Sequence, residues 1–416
     1  MLRLTFLLFT SATLSAGEFT FAEALRRAEA HSPALRAEMF AGRAAEARAE
    51  QAAVKPGPTL DLALENFAGT GAVRGAEGVE ATVQVSQVIE RGGKRSLRVA
   101  LARDEQAQAE VDMAARRAEV RAAAASAFVT ACAAQGRLAM SDAALSLAEE
   151  ASVFAGQRAA AAEISGADAA RARAALAMAR AERLRAKAGL ARAKAELAAF
   201  WGGEGGEVPV LKGTIPAAGE FARPGPELVF QKLSEHPRLA QISAAASGRR
   251  TALRLEQARA KADVTVGAGV RFLRDGSDAG LVAGVSVPMP FANPNAGNIR
   301  AAREMLAGAE ESVRALEVEL RVAGSAAWGE YGAALEIART LRAEAWPATE
   351  EALAEVRAGY ARGEASRFEL FEMQRAHAAL AREIFDADVA AVAAVARAEA
   401  ITDPAFSFTR TLLSSP

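Results

Sequence analysis

The sequence is poor in the residue types that form disulfides, metal clusters and large aromatic cores. It has one cysteine, Cys132, and three histidines among 416 residues, and aromatic residues make up only 6%. A single cysteine excludes a disulfide framework and a cysteine-rich metal site. Scarce aromatic residues and abundant alanine predict helices that pack closely through small side chains rather than a large aromatic core.

The chain also lacks an excess of charge and, after its N-terminus, any long apolar run. It has 50 Lys and Arg residues against 51 Asp and Glu, so no overall field directs it to nucleic acid or to an acidic membrane surface. A transmembrane helix requires about 20 uninterrupted apolar residues, and no later segment provides them. Any membrane-spanning part would therefore have to consist of strands.

Residues 1–16 have the pattern of a short secretory signal peptide. Arg3 precedes the apolar segment Leu4–Phe9, and small residues follow up to Ala16, where cleavage is expected. The apolar segment is too short to span a bilayer, which argues against a signal anchor. No cysteine lies near the cleavage point to accept a lipid, so we expect an exported protein that is not lipidated.

The stretch Gln87–Arg95 separates two kinds of sequence. Val79–Ser86 alternates apolar and polar residues, which is typical of a strand, whereas the alanine-rich sequence up to Pro209 contains no proline and is typical of long helices. Two glycines mark the change of backbone geometry. An earlier alternating segment and a glycine-rich loop complete a predicted β-hairpin over 59–89.

The chain is predicted to be a tandem duplication. His31 and His236 precede similar helix starts 205 residues apart, Gly93 and Gly297 are 204 residues apart, and two helical turns are 201 residues apart. A nearly constant offset over several landmarks indicates a repeated structural unit. The predicted division is a signal peptide (1–16), a first repeat (17–202, hairpin 59–89, helical turn near 163–166), a linker (203–226), a second repeat (227–403, hairpin 263–288, helical turn near 362–366) and a C-terminal tail (404–416).

The four predicted strands have the length and alternation of transmembrane β-strands. Four strands cannot close into a barrel, and open edges are not stable in lipid. If the strands span a bilayer, several copies of the chain must share one barrel. For any single strand, an ordinary soluble sheet is the alternative.

The junction and the two helical turns have sequences that resemble those of a known family. The junction residues are Gln87, Ile89, Glu90, Gly92, Gly93, Lys94 and Arg95, and the turn residues are Ile164, Ser165, Arg171, Arg173 and Leu176 in the first turn and Tyr360, Gly363, Ser366 and Leu370 in the second. They resemble the TolC-like outer-membrane efflux proteins, and the junction resembles the heavy-metal, CzcC-like branch. Two departures are Ala162, in place of a glycine in the first turn, and Pro288–Phe291, which lacks the acidic form of the junction.

The resemblance implies a mostly α-helical protomer with a membrane β-barrel part. The long helices would form a periplasmic α-barrel, and the four strands would join those of two other copies in one trimeric, twelve-stranded barrel. The implied function is passive conduction, of heavy-metal cations in this branch, through the outer-membrane duct of a tripartite efflux system. Implied partners are outer-membrane lipid, a periplasmic membrane-fusion adaptor and an inner-membrane pump of the proton-driven RND type, with no nucleic acid, cofactor or enzymatic activity.

Three groups of residues are candidates for function. The strand-to-helix junction comprises Gln87, Glu90, Gly92, Gly93, Lys94, Arg95 and Gly297. The candidate adaptor-docking tips comprise Ile164, Ser165, Gly166, Gly363 and Ser366. Glu369 and Glu372, on one helix face, are candidates for a carboxylate gate at the periplasmic mouth. The alternatives are plain helix connections for the tips and a solvated helix face for the glutamates.

The histidines and tryptophans do not predict a chemical site. No two of His31, His236 and His377 are close in sequence, and no His/Cys cluster has the spacing of metal ligands. Trp201, Trp328 and Trp346 are expected to pack between helices.

Other functions fit parts of the sequence. A duct for drugs or other small solutes stays open, because the metal assignment depends on the junction alone. A periplasmic coiled-coil structural protein would account for the helices but not for the four amphipathic strands. An exported enzyme would need a nucleophile–base or metal constellation, which the sequence does not show.

Overall fold

The protein consists of long helices and one four-stranded sheet, as predicted. The computed structural model describes residues 19–67, 69–71, 74–75, 78–202, 208–219, 232–273, 278–289, 293–402 and 406–414. The predicted signal peptide and half of the predicted linker lie outside these ranges. The elements are α1 (Phe21–His31), α2 (Pro33–Ala52), β1 (Thr59–Glu65), β2 (Glu80–Ile89), α3 (Lys94–Ala160), α4 (Gly166–Ala198), α5 (Pro237–Arg259), β3 (Val264–Leu273), β4 (Asp278–Ser286), α6 (Ala296–Thr340), α7 (Trp346–Arg362), α8 (Arg367–Thr402) and α9 (Ser407–Ser414).

Prolines define the starts of several helices. Pro33 and Pro237 are the first residues of α2 and α5, where a missing N–H leaves no hydrogen bond unmade. The helical sequence changes form before Pro347, because Leu341–Ala345 form a π-helical turn and the proline lies in the first turn of α7. None of the helices in the described ranges combines the length and the apolar content that crossing a membrane would require.

The chain divides into two compact units, and each contains parts of both predicted repeats. Unit 1 comprises residues 1–36, 116–236 and 319–416, and unit 2 comprises residues 37–115 and 237–318.

The core of unit 1 is built mainly from small side chains. Fully buried alanines are Ala24, Ala28, Ala124, Ala125, Ala131, Ala338, Ala391 and Ala394, as the composition predicted. One aromatic cluster lies among these small side chains. Phe19, Phe21, Phe128, Trp201 and Phe406 pack together, with ring centroids of neighbouring pairs 5.5 to 6.4 Å apart. These residues lie far apart in the sequence, so composition could not reveal their convergence.

The predicted C-terminal tail forms helix α9 and packs against unit 1. Thr409 and Leu413 are buried. The buried carboxylate of Glu399 in α8 accepts hydrogen bonds from the backbone N–H and the hydroxyl of Thr409, the former at 2.8 Å. Glu399 therefore fixes the start of α9 to α8.

Unit 2 contains the sheet, an antiparallel meander in the order β1-β2-β3-β4. The hairpins β1–β2 and β3–β4 are those predicted, and β2 pairs with β3 from Glu80↔Leu273 to Ile89↔Val264. This central pairing joins strands from the two repeats. Strands β1 and β4 form the edges of the sheet in the single chain.

One face of the sheet is predominantly apolar and largely exposed. The register places on it Leu60, Leu62, Leu64, Ala81, Val83, Val85, Val266, Ala268, Val270, Phe272, Ala279, Leu281, Ala283 and Val285. Leu62 is 72% exposed and Leu281 is 92% exposed. The opposite face carries Asp61, Glu65, Glu80, Thr82, Gln84, Ser86 and Arg271. Soluble monomers rarely expose a contiguous apolar surface that crosses four strands.

Candidate functional site

The backbone of the junction depends on its two glycines. Gly92 and Gly93 both have φ +73°, a left-handed conformation that side chains disfavour. A Cβ atom on Gly92 would also lie 2.7 Å from Cδ of Lys261 and 3.3 Å from the carbonyl oxygen of Ala258. The chain can therefore leave β2 and enter α3 along this path only with glycine at position 92.

Two carboxylates tie the charged junction residues together. Asp263 Oδ1 accepts hydrogen bonds from Lys94 Nζ at 2.8 Å and from the backbone N–H of Arg91 at 2.9 Å. The carboxylate of Glu90 accepts two hydrogen bonds from Arg98, at 2.6 and 3.1 Å. These contacts place two residues in the junction, Asp263 and Arg98, that the sequence did not predict.

The same contacts lower the pKa values of both carboxyls. The hydrogen bonds from Arg98 hold the pKa of Glu90 below its ordinary value, against the effect of burial. Burial alone would raise the pKa of Asp263, but the hydrogen bonds from Lys94 and Arg91 outweigh it and lower the pKa. Both side chains are therefore ionised partners of cations at neutral pH.

Other junction side chains bind the end of α2. Arg95 Nε donates to the carbonyl oxygen of Ala53 at 2.9 Å, and Arg98 Nε donates to that of Ala52 at 3.1 Å. Gln87 Nε2 donates to the carbonyl oxygen of Pro56 at 2.8 Å. The last carbonyls of a helix have no partner within the helix, so the two arginines satisfy groups that the end of α2 would otherwise leave unpaired.

Gly297 is not the conformational counterpart of Gly93. It is the second residue of α6 and is absent from the described residues with positive φ. At this second junction, the backbone N–H of Asn295 donates to Asn293 Oδ1 at 2.9 Å, and Asn295 Nδ2 donates to the carbonyl oxygen of Glu256 at 2.7 Å. The second repeat thus makes the turn with asparagine side chains, whereas the first uses glycines and ion pairs.

The lowered pKa of Glu90 predicts a pH-dependent contribution to stability. A carboxyl whose pKa is depressed by folding stabilises the protein above its ordinary pKa, and the stabilisation disappears as pH falls through the lower, folded-state pKa. We expect Glu90→Gln to lower the urea midpoint at neutral pH, and we expect this effect to shrink as pH falls below the ordinary glutamate pKa of about 4.3. Urea unfolding measured at several pH values from neutral downward checks this prediction. The exposed Glu46→Gln is the control. A difference that does not change with pH would contradict the assignment.

Both helical turns of unit 1 end their first helix with the same backbone pattern. The N–H of Glu163 donates to the carbonyl oxygen of Arg158 at 2.9 Å, and that of Ala162 donates to Ala159 at 3.0 Å. The same two hydrogen bonds recur 201 residues later around Gly363, at 2.8 and 3.0 Å. This Schellman pattern requires a left-handed residue, and Ala162 has φ +58° where Gly363 has φ +76°.

The helix after each turn begins with a serine cap. Ser165 Oγ accepts a hydrogen bond from the N–H of Asp168 at 3.2 Å and donates to its carboxylate at 2.7 Å. Ser366 Oγ accepts from the N–H of Glu369 at 3.1 Å, and the Ser366 N–H donates to the Glu369 carboxylate at 2.8 Å. The second arrangement is a capping box. Both turns are therefore rigid pieces of backbone rather than loose connections.

The left-handed alanine predicts opposite effects of two substitutions. A left-handed residue with a Cβ atom costs roughly 1–2 kcal/mol relative to glycine, so we expect Ala162→Gly to stabilise the protein and Gly363→Ala to destabilise it, each by about 1 kcal/mol. Urea unfolding followed by circular dichroism measures both changes. Gly166→Ala, at an open site without positive φ, is the control. Shifts of the same sign for the first two variants would refute the prediction.

The predicted tip residues lie on exposed turns that pack together at their base. Ser165, Gly166, Gly363 and Ser366 are exposed, and Ile164 is half-buried. Beneath them, Phe154 of α3 and Phe371 of α8 have ring centroids 6.2 Å apart. The guanidinium of Arg367 lies 4.7 Å from the first ring centroid and 5.4 Å from the second. The two turns thus form one joined surface, and the sequence did not reveal this packing.

The candidate gate residues have local partners. Glu369 belongs to the capping box, and its counterpart in the first turn is Asp168. Glu372 forms an exposed ion pair with Arg375 at 2.8 Å, and its counterpart 201 residues earlier is Arg171, which pairs with Asp168. Glu372 is therefore the carboxylate that distinguishes the second turn from the first.

The structure places two of the three histidines in packing contacts, whereas His31 is exposed. His236 is buried beside the start of α5, His377 stacks near Trp346 with centroids 4.3 Å apart, and Trp201 lies in the aromatic cluster. Burial raises the pKa of the Cys132 thiol to about 12. Among the residues that the structure describes, no three His, Cys, Asp or Glu side chains are placed to hold a metal ion.

The hairpin, the junction and the first helical turn all lie in a segment with a family match. Residues 24–203 match the outer membrane efflux protein family. This segment nearly coincides with the predicted first repeat. The cobalt-zinc-cadmium resistance protein CzcC of Cupriavidus metallidurans is 27% identical over 325 residues, which cover 78% of this chain and 76% of that protein. The resemblance stated from the sequence is confirmed.

Solved structures have the same fold. The outer-membrane channel OprN superposes with a TM-score of 0.75 at 15% identity, covering 92% of this chain and 89% of that one. The Campylobacter jejuni CmeC outer membrane channel gives a TM-score of 0.70 at 13% identity, covering 95% and 87%. The predicted fold class is confirmed. The prediction that the chain is not an enzyme agrees with the match of residues 24–203 to the outer membrane efflux protein family.

Proposed function

We propose that the protein is the outer-membrane exit duct of a tripartite efflux system. Three copies would share one barrel built from their four-stranded sheets, and the long helices would continue as a periplasmic tunnel. Conduction would be passive, with energy supplied by an inner-membrane pump through a periplasmic adaptor. The adaptor would dock on the joined surface of the two helical turns.

The exposed apolar face of the sheet carries this proposal. In a shared barrel that face would contact lipid, while the face with Asp61, Glu80 and Arg271 would line a water-filled pore. The edges β1 and β4 would pair with neighbouring copies, which would remove the open edges that lipid does not tolerate. A soluble coiled-coil protein would have no use for this surface.

Cysteine labelling tests the membrane position of the sheet. Leu62 and Ala63 are adjacent and exposed in the single chain, but they point to the apolar and the polar face. We expect a membrane-impermeant maleimide to label Ala63→Cys and to leave Leu62→Cys unlabelled in outer-membrane vesicles. The native Cys132 does not interfere, since its raised pKa keeps the buried thiol protonated.

A comparison with the wild-type chain in urea controls the labelling. Unfolding also exposes Cys132, so each variant should take up one label more than the wild-type chain, which shows that the introduced cysteine is intact. Equal labelling of both positions in vesicles, or recovery of the protein in the soluble periplasmic fraction, would overturn the proposed duct and favour a periplasmic structural protein.

We further propose heavy-metal cations as the cargo, because the junction and the similarity to CzcC both point to that branch. Deletion of the chain should cause hypersensitivity to Co, Zn, Cd, Cu or Ag. Hypersensitivity to dyes and antibiotics alone would instead identify a drug duct of the same family, and the wild-type chain should restore resistance in either case.

The gate proposal predicts a change in conductance. If Glu369 and Glu372 ring the periplasmic mouth, the carboxylates from three copies attract cations and repel one another. We expect the double variant Glu369→Gln, Glu372→Gln to raise single-channel conductance or to weaken block by divalent cations. Because Glu369 is held in the capping box, Glu372→Gln alone should carry most of the effect. Asp168→Asn is the matched control, and unchanged conductance in the double variant would remove the gate.

A further inference from the structure

We propose that the junction end of the sheet binds anionic phospholipid headgroups in the adjacent membrane leaflet. The proposed site, here called the basic cluster, comprises Arg48 and Lys55, which line one depression, and Arg91, which lies two residues beyond the end of β2. The inference rests on the proposed function, because it requires the sheet to lie in a membrane. Three observations carry it: the charge at this end of the sheet, a depression beside it, and the contrast with the other end.

The junction end of the sheet carries cations that have no acidic partner. Of the acidic residues at this end, Glu90 and Asp263 are already paired with Arg98 and Lys94. The three members of the basic cluster are exposed, and none forms an ion pair with a described residue. Unpaired cations directly beyond an apolar surface are the arrangement that attracts anionic lipid.

A depression next to the cluster offers room for a headgroup. Its volume is about 520 Å³, and it is lined by Arg48, Gln51, Ala52, Val54, Lys55, Pro56 and Arg98. Gln87 belongs by alternation to the apolar face of β2, and its amide reaches the carbonyl oxygen of Pro56 at 2.8 Å. The depression therefore adjoins the apolar face, so a phosphate bound by Arg48 and Lys55 would leave its acyl chains along that face.

The other end of the strands has the opposite character. The terminal residues Glu65, Glu80 and Asp278 are acidic, and Arg271 pairs with the first two. Among the described residues, this end has no cluster of unpaired cations comparable to that at the junction. The asymmetry assigns anionic headgroups to the junction end.

Spin-labelled lipids test the proposal with the full chain in phosphatidylcholine vesicles. Electron paramagnetic resonance measures how strongly the protein surface retains labelled phosphatidylglycerol relative to labelled phosphatidylcholine. We expect a preference for phosphatidylglycerol of at least about threefold at low salt, because each basic side chain near an anionic headgroup adds to the attraction. High salt should weaken the preference by screening.

Matched variants separate the cluster from net charge. The triple variant Arg48→Gln, Lys55→Gln, Arg91→Gln should bind both lipids equally. The triple variant Arg173→Gln, Lys187→Gln, Arg357→Gln changes net charge by the same amount at exposed positions of unit 1 and should keep the preference. If the first triple variant does not fold, Lys55→Gln alone must still lower the preference, and the charge-retaining pair Arg48→Lys, Arg91→Lys must keep it.

The possible failures are distinguishable. A wild-type chain that a carbonate wash removes from the vesicles overturns the proposed membrane position and this inference with it. A wild-type chain that stays in the vesicles but retains both lipids equally overturns the lipid inference alone. Persistence of the preference in the first triple variant also overturns it.

Discussion

Gly269→Ala is expected to destabilise the sheet by about 2–4 kcal/mol, toward the upper end of the costs of overpacking. A Cβ atom at position 269 would lie 2.3 Å from the carbonyl oxygen of Val83 and 2.7 Å from Cα of Gln84. These are backbone atoms of β2, so relief requires moving the strand that joins the two repeats. Urea unfolding and the amount of protein in the carbonate-washed outer-membrane fraction measure the effect.

Two controls test whether the close approach is the cause. Gly284→Ala, on the same face of neighbouring β4, meets nothing within 4 Å and should change stability by less than about 0.5 kcal/mol. At Gly267 the added atom would meet the end of the Gln84 side chain, at 2.1 Å from Nε2. Gln84→Ala should therefore rescue Gly267→Ala but not Gly269→Ala. Equal destabilisation by Gly269→Ala and Gly284→Ala would contradict the close backbone approach as the cause.

Asp388→Ala is expected to destabilise unit 1 by about 2–4 kcal/mol, because it leaves a poorly solvated cation without its partner. Asp388 is 5% exposed. Its carboxylate accepts hydrogen bonds from Arg342 in the π-helical turn at 2.6 Å and from the backbone N–H of Ala218 at 2.7 Å. Nη1 of Arg342 is already buried without a partner among the described residues, so no other group there compensates for the loss.

The same helix provides the control for this substitution. Asp386 lies two residues earlier and pairs with Arg137, but the side chains of both partners are more than a third exposed. Asp386→Ala should therefore cost less than about 1 kcal/mol. Asp388→Asn keeps an acceptor for the N–H of Ala218. Its destabilisation should therefore lie between those of Asp388→Ala and Asp386→Ala. Thermal and urea unfolding, followed by circular dichroism, compare the stability of the three variants. Equal losses of stability in Asp388→Ala and Asp386→Ala would refute the role of burial.

Local sequence patterns predicted the elements of the fold and their order. Alternation of residue types predicted the four strands, and proline-free alanine-rich runs predicted the long helices. The turns were predictable because capping chemistry involves residues within six positions of one another, as around Ser366 and Glu369. The duplication itself stays a prediction, which the matching hydrogen bonds 201 residues apart support.

The candidate site could be predicted only in part, because several of its contacts join distant segments. Gly92 and Lys94 were visible in the sequence, but their partners Lys261 and Asp263 are not identifiable before β2 and β3 are paired. The same limit explains why Gly297 was matched with Gly93. Sequence offset aligned two glycines, whereas the second junction makes its turn with Asn293 and Asn295.

The sequence by itself determined that four amphipathic strands and long helices exist and approximately where each lies, because periodicity and turn chemistry are local. Only the tertiary structure decided which faces and charges come together. Strand register placed most apolar residues of the sheet on one exposed face, and packing left Arg48, Lys55 and Arg91 without acidic partners among the described residues. Those features depend on contacts between residues far apart in the chain, which no local pattern encodes.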